Sequence, residues 1–414
     1  MSLFRPAPLA LYLHFPYCLY KCHYCDFNSY AVEWSQDLEE RYLLSLLQEI
    51  KLTFEALPPF QIRSVFLGGG TPSLFSPRGL EKVLTELSHQ AERSPSCEIT
   101  IEMNPKTLTA EKIKGYLQIG INRFSLGVQS FEEAYLSPLG RLHTGEEAKE
   151  AAELLAQTGA QNFNLDLMFG FSGQSPAQVL KDLKTAISFN PQHLSFYNLT
   201  LEEGTKLKSQ FQKKLFTLPD NDIQAEMYDQ GIHFLEKNGY SLYEISNFCR
   251  KASVSQHNLS YWRYEDYLGL GAGAVSFLKY SHWGTKNENI YGLRWTNPKT
   301  PKEYQEYIKS PQPPFTKGGG RKPHFSKGGL GGILQTEEIS YPTAQAEFWM
   351  MGLRLTEGVS LLEFEKRFGE SSAQPYSKII SSLEQKSWIS LKEDRVQLTG
   401  QGRFFANDVV TCFI

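Results

Sequence analysis

The sequence predicts an α/β fold in which six consecutive βα units build a parallel sheet. Two observations predict it: short apolar runs recur six times along the first half of the chain, and segments with amphipathic helical spacing lie between them. Alternation of this kind brings each strand back parallel to the previous one through a covering helix. Periodicity alone does not distinguish an open, doubly wound sheet from a curved partial barrel.

The predicted elements have lengths that are usual for strands and helices in globular proteins. The predicted strands span Leu9 to Phe15, Ser64 to Leu67, Glu98 to Met103, Arg123 to Val128, Phe163 to Phe169 and His193 to Leu199. The predicted helices between them span Ser35 to Leu57, Arg78 to Arg93, Ala110 to Gln118, Gly145 to Gln157 and Pro176 to Phe189. We expect a ligand site at the carboxyl ends of these strands.

Three cysteines with the spacing C-x3-C-x2-C, Cys18, Cys22 and Cys25, follow the first predicted strand. Three thiolates leave one iron of a cubane [4Fe-4S] cluster without a protein ligand and open to a small molecule. Structural zinc is the alternative, because this spacing also suits tetrahedral zinc and either His14 or His23 offers a fourth ligand. The other three cysteines are scattered, which disfavours a disulfide framework.

The ends of the other predicted strands carry glycines and polar residues. The second strand ends in Gly68 to Gly70, the third ends near Glu102, the fourth ends at Gln129, and Asp166 lies within the fifth. The glycines let a ligand approach the backbone and leave N–H groups for it, although a tight turn is the alternative. A carboxylate at Glu102 suits a pair of hydroxyls or an ammonium group. Arg141 and Asp166, taken alone, are ambiguous between a site and surface charges.

Composition limits the classes of function. The chain has 414 residues and a net charge of -3, which argues against a dominant polyanion-binding role. It contains no apolar run of the roughly 20 residues needed to span a bilayer. Its first residues lead directly into a strand pattern, without the features of a signal or transit peptide. We therefore expect a cytoplasmic protein.

The chain divides into four predicted regions. Residues 1–240 hold the βα units, and 241–309 form a linking region, predicted to be a lid over the open edge of the sheet. Residues 310–332 contain two copies of a Pro/Gly/Lys-rich unit and are predicted to be a disordered insert, whose cations are candidates for peripheral contact with a membrane or with heme propionates. Residues 340–414 predict helices and a hairpin, as in a winged-helix domain. Because this domain is not distinctly basic, we expect packing or docking and no nucleic acid.

From its cysteine motif and glycine run, the chain is identified as a member of the radical S-adenosylmethionine superfamily. Within it, the chain resembles the oxygen-independent coproporphyrinogen III oxidase group and most closely its HemW-type heme chaperone branch. The resemblance runs through LYLHFPYCLYKCHYCDF, FLGGGTPSLF, TIEMNP, RFSLGVQSF, NLDLMFG, LSFYNLTLEEGT and HNLSYW. It implies a partial (βα)6 TIM-like barrel of the radical S-adenosylmethionine type, followed by a mainly helical, winged-helix-like domain.

The resemblance also implies cofactors. In the family, the open iron is chelated by the amino and carboxylate groups of S-adenosylmethionine, and one electron cleaves the sulfonium. By motif, Tyr12, Gly69 and Glu102 are implied to line this cofactor. The positions that match those holding a second S-adenosylmethionine in the oxidases are Gly70, Thr71, Gln129, Arg141 and Asp166.

Two features separate the branches of the group. The oxidases have another cysteine two residues after the third cluster cysteine, whereas this chain has Phe27. The segment from His257 to Trp262 matches the HNxxYW motif that is associated with heme in the chaperone branch. An imidazole is a good axial ligand for heme iron, and the aromatic residues can pack on a macrocycle. The alternative is a buried His-Asn pair that positions a loop.

These features give three hypotheses for function. The first is a heme chaperone that binds heme and hands it to an acceptor protein, with the cluster and S-adenosylmethionine gating the transfer. The second is an enzyme that oxidatively decarboxylates porphyrinogen propionates, as coproporphyrinogen III dehydrogenase does. The third is a zinc-stabilised regulatory protein that acts through its winged-helix part. The sequence names neither the acceptor, nor the electron donor, nor a catalytic residue.

Overall fold

A computed structural model describes residues 6–251, 253–283, 289–309 and 334–414. Its main element is a twelve-stranded sheet whose central six strands run parallel in chain order. These strands are β1 (Ala7–Phe15), β2 (Phe60–Gly69), β3 (Arg93–Met103), β4 (Arg123–Gln129), β5 (Phe163–Phe169) and β6 (His193–Asn198). The predicted α/β fold is confirmed, and each of the six strands coincides with a predicted one apart from its ends.

Helices follow these strands and cover the outer face of the sheet. The covering helices are Gln36–Ala56, Pro77–Gln90, Ala110–Gln118, Gly145–Gln157, Pro176–Ser188 and Asn221–Lys237, and the short helices Glu133–Leu136 and Lys206–Gln212 lie between them. Side-chain caps define where they begin. Ser35 accepts a hydrogen bond from the N–H of Leu38, and Thr144 forms a capping box with Glu147. The sequence therefore contains the start signals of the helices as well as their periodicity.

The two faces of the central strands differ in polarity. On β4, Phe124 and Leu126 face the covering helices and are fully buried, whereas Arg123 and Ser125 alternate with them and line an internal cavity. The same alternation on β3 and β5 turns Glu102 and polar residues such as Asn164 toward that cavity. Closed TIM barrels fill this space with branched apolar side chains. Here side chains from all six parallel strands line one cavity, so the sheet curves around it as the predicted partial barrel. The interior of this barrel is polar and hollow, as a ligand site requires.

Residues 241–309 extend the sheet at both ends. Ser241–Glu244 and Asn247–Cys249 continue it antiparallel beyond β6, and Tyr267–Leu270 pairs parallel with β1. Val275–Lys279, Ile290–Thr296 and then Gln335–Ser340 complete that side, and the helices Gln256–Trp262 and Pro301–Lys309 accompany them. These residues were predicted to be a lid over the sheet, and the observed strand pairing differs from that prediction. A Cβ at Gly269 would lie 2.2 Å from the carbonyl oxygen of Val275, so this strand needs glycine for close packing.

The C-terminal residues fold around a separate core that includes Trp349, Phe364 and Val396. The helices are Tyr341–Gly352, Leu361–Phe368, Ser377–Gln385, Gly400–Phe404 and Ala406–Thr411, with a small sheet of Val359–Ser360, Arg395–Leu398 and Ile389–Lys392. This arrangement of helices and a hairpin agrees with the predicted winged-helix character. The predicted insert at 310–332 lies outside the described residues. Within the described ranges, no helix is both long and apolar enough to cross a membrane.

Candidate cofactor site

The three cysteines line a cavity of about 400 Å³ at the carboxyl ends of the strands. Cys18, Cys22 and Cys25 are half-buried free thiols on the loop that follows β1. This loop is attached to the glycine run of β2 by backbone hydrogen bonds. The N–H of Gly70 donates to the carbonyl of Phe15, and the next N–H donates to the carbonyl of Tyr17, both at 2.8 Å. The predicted convergence of the first two strand ends on one cavity is present in the structure.

Hydrogen-bond donors surround the thiols. The hydroxyl of Thr71 donates to the sulfur of Cys18 at 3.4 Å, and the guanidinium of Arg141 donates to the sulfur of Cys22 at 3.6 Å. Burial raises the pKa of Cys18 and of Cys25, and the neighbouring thiols raise it further. Three thiolates around one cavity repel one another unless a cation lies between them, and metal coordination deprotonates thiols. This donor set fits an iron-sulfur cluster.

The two histidines that could complete a zinc site both form hydrogen bonds with other groups. The Nε2 of His14 donates to the carbonyl of Asn28 at 2.8 Å, so its Nδ1 accepts from the hydroxyl of Tyr12. The Nδ1 of His23 donates to the carbonyl of Pro138, and its Nε2 faces a tyrosine hydroxyl and a lysine amine. Among the described residues, no three His, Cys, Asp and Glu side chains converge on one metal-ion position. Neither imidazole is therefore free to complete a zinc site with the cysteines.

The glycine run of β2 brings two backbone segments into close contact. A Cβ at Gly69, whose φ is +113°, would lie 2.5 Å from the ring of His14. A Cβ at Gly70 would lie 2.6 Å from the carbonyl oxygen of Tyr17. The prediction of close approach therefore holds for the cysteine loop. The prediction that these N–H groups are free for a ligand is wrong at Gly69 and Gly70, since Gly69 donates to Glu102 at 3.0 Å and Gly70 donates to the loop.

Two half-buried carboxylates, Glu102 and Asp166, form part of the wall shared by this cavity and a second one. Burial, and then the charge of Asp166, raise the pKa of Glu102 to about 8. Asp166 accepts hydrogen bonds from the hydroxyl of Ser125 at 3.2 Å and from the amide of Asn164 at 2.8 Å. Burial also raises the pKa of Asp166. At neutral pH, Glu102 is therefore mostly protonated and can donate a hydrogen bond.

The raised pKa of Glu102 predicts a loss of stability between pH 7 and pH 8. In this range, folded Glu102 keeps a proton that the unfolded chain has released, so the free energy of unfolding falls as the pH rises. We expect a decrease of about 1 kcal/mol from this group, measured by urea unfolding of the apoprotein. Glu102→Gln should remove most of it, whereas the exposed control Glu153→Gln should not. An equally steep dependence in Glu102→Gln would contradict the assignment.

Gln129 and Arg141 complete the wall of the first cavity. Gln129 has a φ of +69°, an unusual value for a non-glycine residue, at the point where the register of β4 and β5 shifts. Arg141 donates through Nη2 to the side chain of Asn104 at 2.6 Å and to the carbonyl of Gly127 at 2.5 Å. Its buried Nε has no hydrogen-bond partner among the described residues. A buried donor without a partner beside a cavity indicates a place for a ligand acceptor.

The predicted residues are divided between adjoining cavities. Gly69, Gly70, Glu102, Gln129, Arg141 and Asp166 line the cysteine cavity, and Thr71 lines a small side cavity of about 40 Å³. Tyr12 instead lines the second cavity, of about 520 Å³, which lies inside the barrel. That cavity also contains Arg123, which is only 2% exposed and whose Nε has no hydrogen-bond partner in the described ranges. Arg123 was not among the residues predicted for the site. It could have been, because it lies an even number of positions from Ser125 and Gln129 on the same strand, and such residues face the same side of a sheet.

The HNxxYW segment forms the helix Gln256–Trp262, where a loop was predicted. The carboxylate of Glu98, on β3, accepts from the N–H groups of Gln256 and His257, each at 3.1 Å. An acidic side chain thus caps this helix from inside the barrel. The two aromatic residues of the motif lie on different sides of the helix, with Tyr261 facing the barrel cavity and Trp262 facing a cavity near the C-terminal domain.

The ring of His257 is 1% exposed and stacks on Phe66 with a centroid distance of 5.0 Å. Its two nitrogens lie 3.0 Å from the hydroxyls of Ser64 and Tyr261. Burial, and then the charge of Arg123, lower its pKa to about 3, so it stays neutral. Coordination of heme iron by this imidazole would require one of these hydrogen bonds to break. The observed geometry therefore agrees with the alternative to heme coordination, in which a buried histidine positions its neighbours.

Two family models match the chain. The Radical SAM superfamily matches residues 12–186, which include the cysteine loop and strands β2 to β5. The HemN C-terminal domain matches residues 342–405, the C-terminal domain described above. The two matches therefore correspond to the two structural parts of the chain.

Several relatives are similar over almost the whole chain. The heme chaperone HemW of Haemophilus influenzae is 35% identical over 98% of this chain and 98% of its own length. The heme chaperones HemW of Bacillus subtilis and Escherichia coli are each 33% identical over at least 97% of both chains. Among solved structures, the coproporphyrinogen III oxidase HemN of Escherichia coli, a radical SAM enzyme, has a TM-score of 0.77 and 20% identity, with coverage of 100% of this chain and 91% of that one.

Proposed function

Because this chain belongs to the HemW-type branch of the oxygen-independent coproporphyrinogen III oxidase family of radical S-adenosylmethionine proteins, we propose that it is a heme chaperone, which binds heme and transfers it to an acceptor protein. The resemblance inferred from the motifs is confirmed by these matches. The observation that carries the functional proposal is the similarity over almost the full length to proteins named heme chaperones.

We further propose that Cys18, Cys22 and Cys25 hold a [4Fe-4S] cluster. Such a cluster, when bound, supplies one open iron for the amino and carboxylate groups of S-adenosylmethionine and the electron that cleaves its sulfonium. The position of the three thiols on one cavity wall supports this assignment. We propose Tyr12, Gly69 and Glu102 as contacts of that cofactor, and Gly70, Thr71, Gln129, Arg141 and Asp166 as contacts of a second molecule.

Several residues around the cavity have roles that follow from their hydrogen bonds. Thr71 and Arg141 donate to thiolate sulfurs, which stabilises the charged thiolates. Glu102, protonated at neutral pH, can donate to a ligand hydroxyl or carboxylate while it accepts from Gly69. Asp166 is held by Ser125 and Asn164, so its orientation is set before a ligand arrives. Half-buried free thiols of this kind suit a reducing compartment, and we propose the cytoplasm.

Porphyrinogen decarboxylation is the second candidate function. The similarity to the fold of the HemN oxidase favours it, but at 20% identity the likeness concerns the fold only. Phe27 argues against it, because this residue is 59% exposed at the mouth of the cavity where the oxidases have a further cysteine.

Parallel anaerobic assays distinguish the two candidate functions. Heme-loaded protein is mixed with an apo-hemoprotein acceptor, and heme transfer is followed by absorbance. Separately, the protein with its reconstituted cluster, S-adenosylmethionine and a reductant is given coproporphyrinogen III. We expect transfer of heme and no release of carbon dioxide. Decarboxylation without heme transfer would overturn the proposal in favour of the enzyme.

A further inference from the structure

A third large cavity lies between the HNxxYW helix and the C-terminal domain. It measures about 440 Å³, which is within the range of small-molecule sites. Its lining is mainly apolar and comes from several segments of the chain. They include Trp262 on the motif helix, Met350 and Met351 on helix Tyr341–Gly352, and Val410 on the last helix. Neither the cluster site nor the barrel cavity shares any of these residues.

The motif helix connects this cavity to the barrel. His257 and Tyr261, one turn apart, point into the barrel and bond to each other, whereas Trp262 lies on the wall of the third cavity. The imidazole therefore holds the helix in place. The indole is the part of the motif that a ligand in this cavity can contact.

Two buried donors at the cavity lack a partner in the described part of the chain: the indole N–H of Trp262 and the Nε of Arg354. The guanidinium of Arg354 lies 4.5 Å from the centroid of the Trp262 ring, and its Nη2 lies 3.7 Å from the carboxylate of Glu244. Buried donors without an acceptor are rare in folded proteins. An acceptor on a ligand, such as a carboxylate, would satisfy them.

These observations describe a ligand that is mostly apolar, has a flat face for an aromatic ring and carries anionic groups. The two adjacent methionines also offer polarizable thioethers, which adapt to an irregular apolar ligand and serve as axial ligands in some heme proteins. We propose that heme binds in this cavity, with its macrocycle against Trp262 and the methionines and a propionate near Arg354. This inference rests on the proposed chaperone function and adds the location of the heme.

The direct test fills the cavity without removing any contact from the fold. Ala406 lines the cavity and is only partly buried, so Ala406→Trp places an indole in the proposed heme position. We expect its dissociation constant for heme to rise about tenfold or more in an absorbance titration of the full chain. Ser381→Trp, at an exposed position of the same domain, is the matched control and should bind heme like the wild type. Iron content and the unfolding transition of both variants should match the wild type.

A second variant decides the matter if Ala406→Trp does not fold. Trp262→Phe keeps an aromatic ring but loses the indole N–H, and we expect it to weaken heme binding about three- to tenfold. Heme binding of wild-type strength in Ala406→Trp, or in Trp262→Phe if Ala406→Trp does not fold, would overturn this location. A wild-type protein that binds no heme would instead contradict the chaperone function itself, so the two failures are distinguishable.

Discussion

Cys22→Ala is expected to reduce the iron content of the anaerobically reconstituted protein from about four irons per chain to near zero. Cys22 lines the cavity with the other two cysteines, and Arg141 already donates to its sulfur. With two thiolates left, the proposed cubane would have two irons without a protein ligand. The fold should survive, because Cys22 lies on a half-buried loop outside the main core. Iron and acid-labile sulfide analysis measures the result.

The chain offers two matched controls for this experiment. Cys412→Ala removes an exposed thiol near the end of the chain, and Cys249→Ala removes a buried thiol from a strand next to β6. Both variants should retain full iron content. A complete cluster in Cys22→Ala, or its loss in Cys412→Ala, would contradict the ligand assignment.

Glu98→Ala is expected to destabilise the apoprotein by about 3–5 kcal/mol. The carboxylate of Glu98 lies 3.9 Å from the Nε of Arg123, and both side chains are buried inside the barrel. The same carboxylate accepts two N–H groups at the start of the motif helix. Its removal leaves a buried guanidinium without its closest counter-charge and helix donors without an acceptor. Urea unfolding followed by far-ultraviolet circular dichroism measures the change.

Two further variants separate the charge effect from general damage. Glu146→Ala removes an exposed carboxylate that pairs with Lys149, and we expect a change within about 0.5 kcal/mol. Glu98→Ala combined with Arg123→Met removes the unpaired charge and should recover part of the lost stability. If Glu98→Ala costs no more than Glu146→Ala, the buried pair and the helix cap have been misassigned.

Local patterns predicted much of the fold. The six parallel strands and their helices are visible in the sequence because apolar runs and amphipathic spacing mark them directly. The cysteine spacing and the glycine run located the cavity for the same reason. The carboxyl ends of parallel strands meet at one edge of the sheet, so the sequence alone places residues such as Glu102 and Asp166 near one another.

Features that depend on distant partners could not be predicted. The motif helix is only seven residues long, too short for a periodic signal, and its capping acceptor is Glu98, more than 150 positions earlier in the chain. The N–H groups of Gly69 and Gly70 looked free because their acceptors lie on other elements. Strands within residues 241–309 pair with β1 and β6. This pairing also depends on tertiary contacts, which the local sequence of a short strand does not determine.

The proposed chaperone function requires that the chain itself binds heme. An anaerobic titration of the cluster-reconstituted wild type with heme, followed at the Soret band, tests it, and His257→Ala is titrated in parallel. We expect saturable binding with about one heme per chain in the wild type. The His257 variant then distinguishes an iron ligand, whose loss changes the Soret maximum, from a positioning residue, whose loss leaves that maximum in place. Absence of saturable binding by the wild type would contradict the chaperone function and favour decarboxylation of porphyrinogen propionates.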